Sequence, residues 1–512
     1  MSQDQSSNKR IAKNTVMLYI RMFITLLIGL YTSRVILNAL GVEDYGVYNV
    51  VGGFVGLFGM VSGCLSIASS RFITFELGRG NLEEIRKVFA TSSIVQIAIS
   101  VIVVMLAETI GLWFFYHKMV IPEERLFAAL IVFQLSIVSF VVGLLYVPYN
   151  AAIIAHEEMG KFAMFSIVES VAKLIIVLIV QYAETDRLIL YASLICLVSW
   201  SMSIMYITYC KRHFAVCTFH YTFDKALFLQ MFGFAGWYAI GSTAGTLRNQ
   251  GATILLNLFG GLAVNTAAGI ALTLTGVLDG FVSNFSISYS PQITKTYAAG
   301  DYSRLNNLML IFSRLSFYLV LFFALPVFLN AHFIISLWLG IVPGHTVVFV
   351  RLVIIVLLFE VLSRPLITAN NATGNIRDYQ LVVNGILLLS LPSSYIALRL
   401  GASIEIVYIS NAVFSAFAYM ARFIMLRRNL AGWSVRRYFS RVCIKVLTVT
   451  CISVILPLYL YLSMDEGWMR TIFSSLASVI AVFLSVYFCG LSAYERVYLS
   501  ELIKSRLRVK IM

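Results

Sequence analysis

Apolar residues arrive in long unbroken stretches, and polar or charged residues collect in short segments between them. Each stretch approaches about 20 residues, the length a helix needs to cross ~30 Å of hydrocarbon. The pattern predicts about fourteen helices, near 12–39, 46–67, 88–116, 126–147, 162–183, 188–210, 230–258, 262–289, 306–329, 345–363, 379–398, 404–426, 442–463 and 471–492. Helices satisfy every backbone polar group within themselves, as hydrocarbon demands, and only 8 prolines interrupt them.

A weak self-similarity at an offset of about 220 residues divides this series. Leu37-Asn38-Ala39-Leu40-Gly41 ends the first span, and Leu256-Asn257-Leu258-Phe259-Gly260 ends the seventh. Ser70, Ile73, Thr74, Gly80 and Asn81 then match Ser290, Ile293, Thr294, Gly300 and Asp301. Pro148 and Pro365 fall at the ends of the fourth spans of the two halves, each followed by a glycine, Gly160 and Gly374. The expected architecture is an all-α polytopic membrane protein: two six-helix lobes, 1–215 and 216–430, related by a pseudo-twofold axis along the membrane normal around a central cavity. Residues 431–512 add two further helices and a basic tail. Four small-xxx-small pairs, Gly52/Gly56, Gly59/Gly63, Gly241/Gly245 and Gly276/Gly280, predict close packing of helices.

Composition strengthens the membrane reading, since 60% of residues are apolar and only 12% charged, about half the usual soluble share. The polar start runs into a first hydrophobic stretch too long for a signal peptide, so that helix is expected to remain as an anchor. The net charge of +14 is not spread evenly. With the N-terminus placed in the cytoplasm, 27 of the 38 Lys and Arg fall on cytoplasmic segments, 5 on the opposite side and 6 within spans. That bias predicts an even number of spans with both termini cytoplasmic. It also removes the case for nucleic acid: Arg436, Arg437 and Arg441, and the basic tail, read as loop-retaining charges that can meet anionic lipid heads.

Catalytic patterns are missing. The sequence holds no GxxxxGK[ST] and no HExxH, and its seven cysteines form no CxxC pair and read as small core residues. No enzyme activity, cofactor or metal is therefore expected. His156-Glu157-Glu158 reads as a solvated turn.

Ionisable residues within spans carry the candidate chemistry, because each costs about 2.5–3.5 kcal/mol or more unless it faces a partner or a cavity. They are Arg21, Arg34, Glu108, Glu169, Lys173, Arg248, Asp279, Arg314, Arg351 and Glu360. The cationic majority suits an anionic cargo, and the planar fork of Arg suits phosphate. Arg21, Arg34, Lys173, Arg248 and Arg351 are the candidate cargo-binding residues, with Arg248 and Lys173 at similar depth, roughly 15 Å from the outer face. Glu169 and Lys173 either neutralise each other four residues apart or act on cargo. Arg34 and Arg351 either snorkel to the outer interface or line the path. Asp279, Glu360 and Glu169 are candidates for a coupling-ion site or for charge partners of the cations.

Arg34, Leu40-Gly41, Asp44-Tyr45-Gly46 and Tyr48 resemble the "R…LG…DYG.Y" signature after the first helix of bacterial polysaccharide flippases, in the multidrug/oligosaccharidyl-lipid/polysaccharide exporter superfamily. The second half, Gly261–Ala268, lacks the acidic-Tyr-Gly element. The resemblance implies an inner-membrane flippase that moves an undecaprenyl-diphosphate-linked oligosaccharide, an O-antigen or capsule repeat unit, to the periplasmic leaflet by alternating access. It implies a cationic lumen, with Arg21, Lys173 and Arg248 as counterparts by placement, and the lipid-linked oligosaccharide, membrane lipids and other polysaccharide-assembly proteins as partners. A lipid II flippase, a drug/cation antiporter of the multidrug and toxin extrusion type, and a membrane scaffold are the competing readings. An antiporter for cationic drugs would call for an acid-dominated cavity.

Overall fold

The computed structural model describes residues 2–56, 59–117, 121–217, 224–339, 342–430, 432–492 and 495–496, and among them it contains helices and turns but no strand. Helices α1 (Ser2–Gly56), α2 (Gly59–Arg79), α3 (Leu82–His117), α4 (Leu126–Ala155), α5 (Met159–Gln181) and α6 (Arg187–His213) come first. The long α7 (Lys225–Ala298) follows, then α8 (Tyr302–Leu329), the short α9 (Ala331–Leu339), α10 (Thr346–Thr373), α11 (Arg377–Arg399) and α12 (Ile406–Asn429). Helices α13 (Val435–Ser463) and α14 (Trp468–Gly490) end the described chain. Among the described residues the expected spans lie on helix save for a residue or two at their ends, and 11 helices are long and apolar enough to cross a membrane. The protein is thus an all-α, multi-pass membrane protein. Large apolar side chains stand on its surface, among them Ile455, Leu462 and Phe488, where lipid rather than water is the solvent they require.

Two glycines break single long helices: α1 covers the first expected span and the start of the second, and α7 covers the seventh and eighth. α1 breaks at Gly41 (φ 78°, ψ 172°), and α7 breaks at Gly261 (φ 74°, ψ −170°). That region of backbone space is essentially reserved for glycine. The repeat therefore pairs Gly41 with Gly261, not with Gly260. The same offset joins Gly80 (φ 73°) to Gly300 (φ 74°). It also joins the caps that follow them: Asn81 accepts from the Glu84 N–H, and Asp301 from the Arg304 N–H.

The other expected glycine match fails. Gly160 lies inside α5, whereas Gly374 ends α10 in the left-handed region at φ 79°. The position matching Gly374, counted from the two prolines, is Glu157, at φ 63°.

The chain divides into two compact units, residues 1–240 with 287–300, and residues 241–286 with 301–512. In the first, Val35, Ile36, Ala39 and Leu40 of α1 bury against Ile176, Val177 and Val180 of α5 and Tyr191 of α6. Phe133 of α4 and Phe115 of α3 fill a second core with Val47 and Val51. In the second unit, Leu256, Ala267, Ala271 and Val282 of α7 pack with Phe349, Ile354 and Val361 of α10. Close approach at glycine occurs where Gly241 meets Gln380 and Gly251 meets Leu391, within this second unit. A Cβ at Gly59, Gly63, Gly245 or Gly276 would meet nothing within 4 Å, so those expected small-residue contacts do not form. The surroundings of Gly52 and Gly56 lie outside what is described.

Candidate functional site

The second unit gathers charge on α7, α10 and α12. Arg248 Nη2 donates to Glu360 Oε1 at 2.6 Å. One helical turn beyond Glu360, Arg364 donates to the Asp279 carboxylate through Nη2, and to Ser283 Oγ through Nη1 at 2.9 Å. Ser283 also donates to Asp279 Oδ2 at 3.3 Å. Arg422 of α12, buried, donates to Ser363 Oγ at 2.8 Å. Both Arg364 and Arg422 lie near enough to act electrostatically on the Glu360 carboxylate. The cluster thus holds three guanidiniums against two carboxylates, a surplus of one positive charge. Arg248 Nη1 is buried with no hydrogen-bond partner among the described residues. A guanidinium already committed through one nitrogen and idle at another can receive an anionic oxygen without first rotating.

Arg364 and Arg422 correct the reading from sequence, which ended the tenth span at 363 and the twelfth at 426, and counted both arginines with the loops. Pro365 sits inside α10, which continues to Thr373. Proline removes one N–H donor but does not end a helix whose apolar face goes on, and Leu366, Ala369 and Ala372 carry that face into the core. The continuing face was the signal that could have found Arg364.

The first unit holds a separate row along α1 and α5. Arg21 lies with its guanidinium carbon 4.7 Å from the Phe162 ring centre and Nη1 3.5 Å from Ser166 Oγ. One and two turns on, Glu169 and Lys173 form a salt bridge at 2.6 Å, the mutual neutralisation that their spacing allowed. Arg34 lies on α1, and its side chain is outside the described residues.

Two other expected cations are committed to backbone carbonyls. Arg351 donates from Nε to Phe328 O at 3.0 Å and from Nη2 to Leu329 O at 3.4 Å. It thus satisfies carbonyls at the end of α8, which have no partner within their own helix. Arg314 is buried, and it binds Gly490 O at 2.9 Å and Glu495 Oε1 at 2.7 Å. Neither snorkels. Glu108 accepts from Gln134 Nε2 at 3.3 Å.

The segment read as a solvated turn is instead a buried junction of the first unit. Glu157 accepts at Oε1 from Lys295 Nζ (2.7 Å) and at Oε2 from Gln292 Nε2 (2.6 Å), and its carbonyl accepts from Asn14 Nδ2 (3.0 Å). Its neighbour His156 stacks on Phe214 at 4.1 Å, and burial pushes the imidazole below its ordinary pKa, with Lys295 acting in the same direction.

The family described as polysaccharide biosynthesis protein matches residues 11–332 of this chain. No curated protein matches it. Among solved structures, a point mutant of a MATE protein superposes with a TM-score of 0.72 at 13% identity, covering 82% of this chain and 96% of that one. An outward-facing multidrug resistance MATE-family transporter of the MOP superfamily gives 0.69 at 14%, covering 82% and 95%. A MOP-superfamily transporter from Pyrococcus furiosus, reported with a binding pocket of reversed polarity, gives 0.67 at 14%, covering 82% and 95%. At these identities the likeness is one of fold.

Proposed function

This chain belongs to the polysaccharide biosynthesis protein family, and we propose that it is a flippase for an undecaprenyl-diphosphate-linked oligosaccharide, an O-antigen or capsule repeat unit. It takes this cargo from the cytoplasmic to the periplasmic leaflet of the inner membrane by alternating access, with both of its termini cytoplasmic. The observation that carries the reading is the cationic surplus on α7, α10 and α12, where Arg248, Arg364 and Arg422 outnumber Glu360 and Asp279. A drug/cation antiporter would need the opposite balance.

The physical work divides between cargo and protein. The prenyl tail stays in hydrocarbon, while the diphosphate exchanges water for guanidinium donors. In this site the cargo phosphates compete with Glu360 for Arg248 and with Asp279 for Arg364. The displaced carboxylates then lack a counter-charge, which a cation or proton can supply. The inside-negative potential favours outward passage of two negative charges by roughly 4–5 kcal/mol at about 100 mV, enough to bias export without nucleotide hydrolysis.

The test is the leaflet distribution of lipid-linked saccharide in spheroplasts, read with an impermeant saccharide probe. Depleting the protein should trap the lipid-linked units inside, and Arg248→Ala should do the same while remaining in the membrane at wild-type level. Wild-type export by Arg248→Ala overturns the role given to that residue. Unchanged saccharide distribution with reduced efflux of a cationic drug replaces the flippase with the antiporter.

A further inference from the structure

We infer that the groove of about 490 Å³ between α1 and the segment joining α5 to α6 is a saccharide-binding site. Asp44, Arg125, Tyr182, Glu184, Asp186 and Arg187 line it, all within the first unit. The volume lies in the range of small-molecule sites. The assignment rests on the export reading, and the positive-inside pattern puts this groove on the periplasmic side, where exported cargo is delivered.

The charges identify the class of ligand. Arg125 donates to Asp186 Oδ2 at 2.7 Å and, through Nη2, to Asp44. Arg187 donates to Ala39 O at 3.1 Å. A phosphate would meet three carboxylates, and a metal ion would meet two guanidiniums; no cluster of three metal-ligating side chains occurs among the described residues. A neutral polyhydroxyl compound fits both signs, because each hydroxyl donates to a carboxylate and accepts from a guanidinium. Tyr182 stands 82% exposed at the rim, offering an aromatic face to the C–H face of a pyranose ring.

Asp44 is the second, independent observation. It is only 6% exposed, and its Oδ1 is buried with no hydrogen-bond partner among the described residues. An idle buried acceptor costs free energy that a ligand hydroxyl would recover.

Asp44 is also not required by the scaffold it joins. Arg125 and Asp186 sit at the N-termini of α4 and α6. In the second unit His345 and Glu405 sit at the N-termini of α10 and α12 and bond at 2.6 Å. The same staple is thus made there without an acidic third member, since Val264 occupies the position that the repeat matches to Asp44.

Oligosaccharide released by mild acid from the cell's own lipid-linked pool is the probe, titrated onto the full-length protein in nanodiscs. Tyr182→Ala removes only an exposed ring and is the primary variant; Asp44→Asn is the second. The expected result is about a tenfold loss of affinity in each. Binding that survives Tyr182→Ala and Asp44→Asn overturns the groove. So does displacement of the saccharide by inorganic diphosphate. If wild-type protein binds no released saccharide while the cells still export lipid-linked units, the groove assignment falls and the flippase reading stands. If both fail, the two fall together.

Discussion

Glu157 allows a sharp test of the physical reasoning. Its carboxylate is 3% exposed and meets Lys295, whose side chain is 26% exposed, and its backbone sits at φ 63°. Lys295→Met leaves the anion buried with only the Gln292 amide. Breaking a buried pair from one side costs about 3–5 kcal/mol. The partial exposure of Lys295 lets water reach the site, which lowers the expectation to about 2–3 kcal/mol. Glu157→Gln keeps the size of the side chain and leaves Lys295 free to turn toward water, so it should cost about 1 kcal/mol. The double variant should recover part of the Lys295→Met loss, because the stranded charge is gone. Unfolding free energies from SDS titration in mixed micelles, followed by far-UV circular dichroism, supply all four corners of the cycle. If Lys295→Met costs no more than Glu157→Gln, or the two effects add, then Glu157 is not a buried, pair-dependent anion.

Gly41→Ala and Gly261→Ala should each destabilise by about 1–3 kcal/mol in the same assay, because both glycines hold backbone that other residues avoid. Gly78→Ala should cost about 1–3 kcal/mol by overpacking, since its Cβ would come within 2.7 Å of Lys295 O; wild-type stability would show that α2 can shift at no cost. His156 is pushed below its ordinary value by burial, so the unfolded chain binds the extra proton first. The resulting stability is complete above about pH 6.5 and falls as pH drops toward the folded value. His156→Phe keeps the stack on Phe214 and cannot titrate, so it should lose less stability than wild type between pH 7.5 and 5.5; parallel losses would refute this.

Much of the fold was legible because hydrocarbon imposes one dominant rule, that about twenty apolar residues make a spanning helix. What escaped the sequence were features set by partners far along the chain. Arg364 looked like a loop charge until α10 was seen to carry on past the apolar run that marked its span, and Arg422, near the end of the twelfth expected span, was counted with the basic loop that follows it. Glu157 looked like a solvated turn because its partners Lys295 and Gln292 lie in a distant part of the chain, at the end of α7. The Glu169–Lys173 pair was readable, since both residues share one helix face four positions apart. The backbone partners of Arg314 and Arg351 were not readable either, since those carbonyls belong to residues distant in the chain.

The internal repeat separates what the two halves share from what each does. Shared features are those of backbone: the breaks at Gly41 and Gly261, the turns at Gly80 and Gly300, the caps Asn81 and Asp301. The staples Arg125–Asp186 and His345–Glu405 follow it too, but the charged side chains within the spans do not. At the offset that pairs those glycines, Gly241 is the counterpart of Arg21, and Ile28 is the counterpart of Arg248. A duplicated frame with independently placed charges is what divided labour requires, since a break needs a glycine in both halves but a ligand contact needs its residue only once. On this argument no functional role can be carried from one half to the other by position. Placing an arginine at Gly241 in an Arg21→Gly background should therefore not restore export, and the Gly241 backbone, pressed against Gln380, would be disrupted as well. Restored export in that double variant would show that the halves are chemically interchangeable and would refute the division.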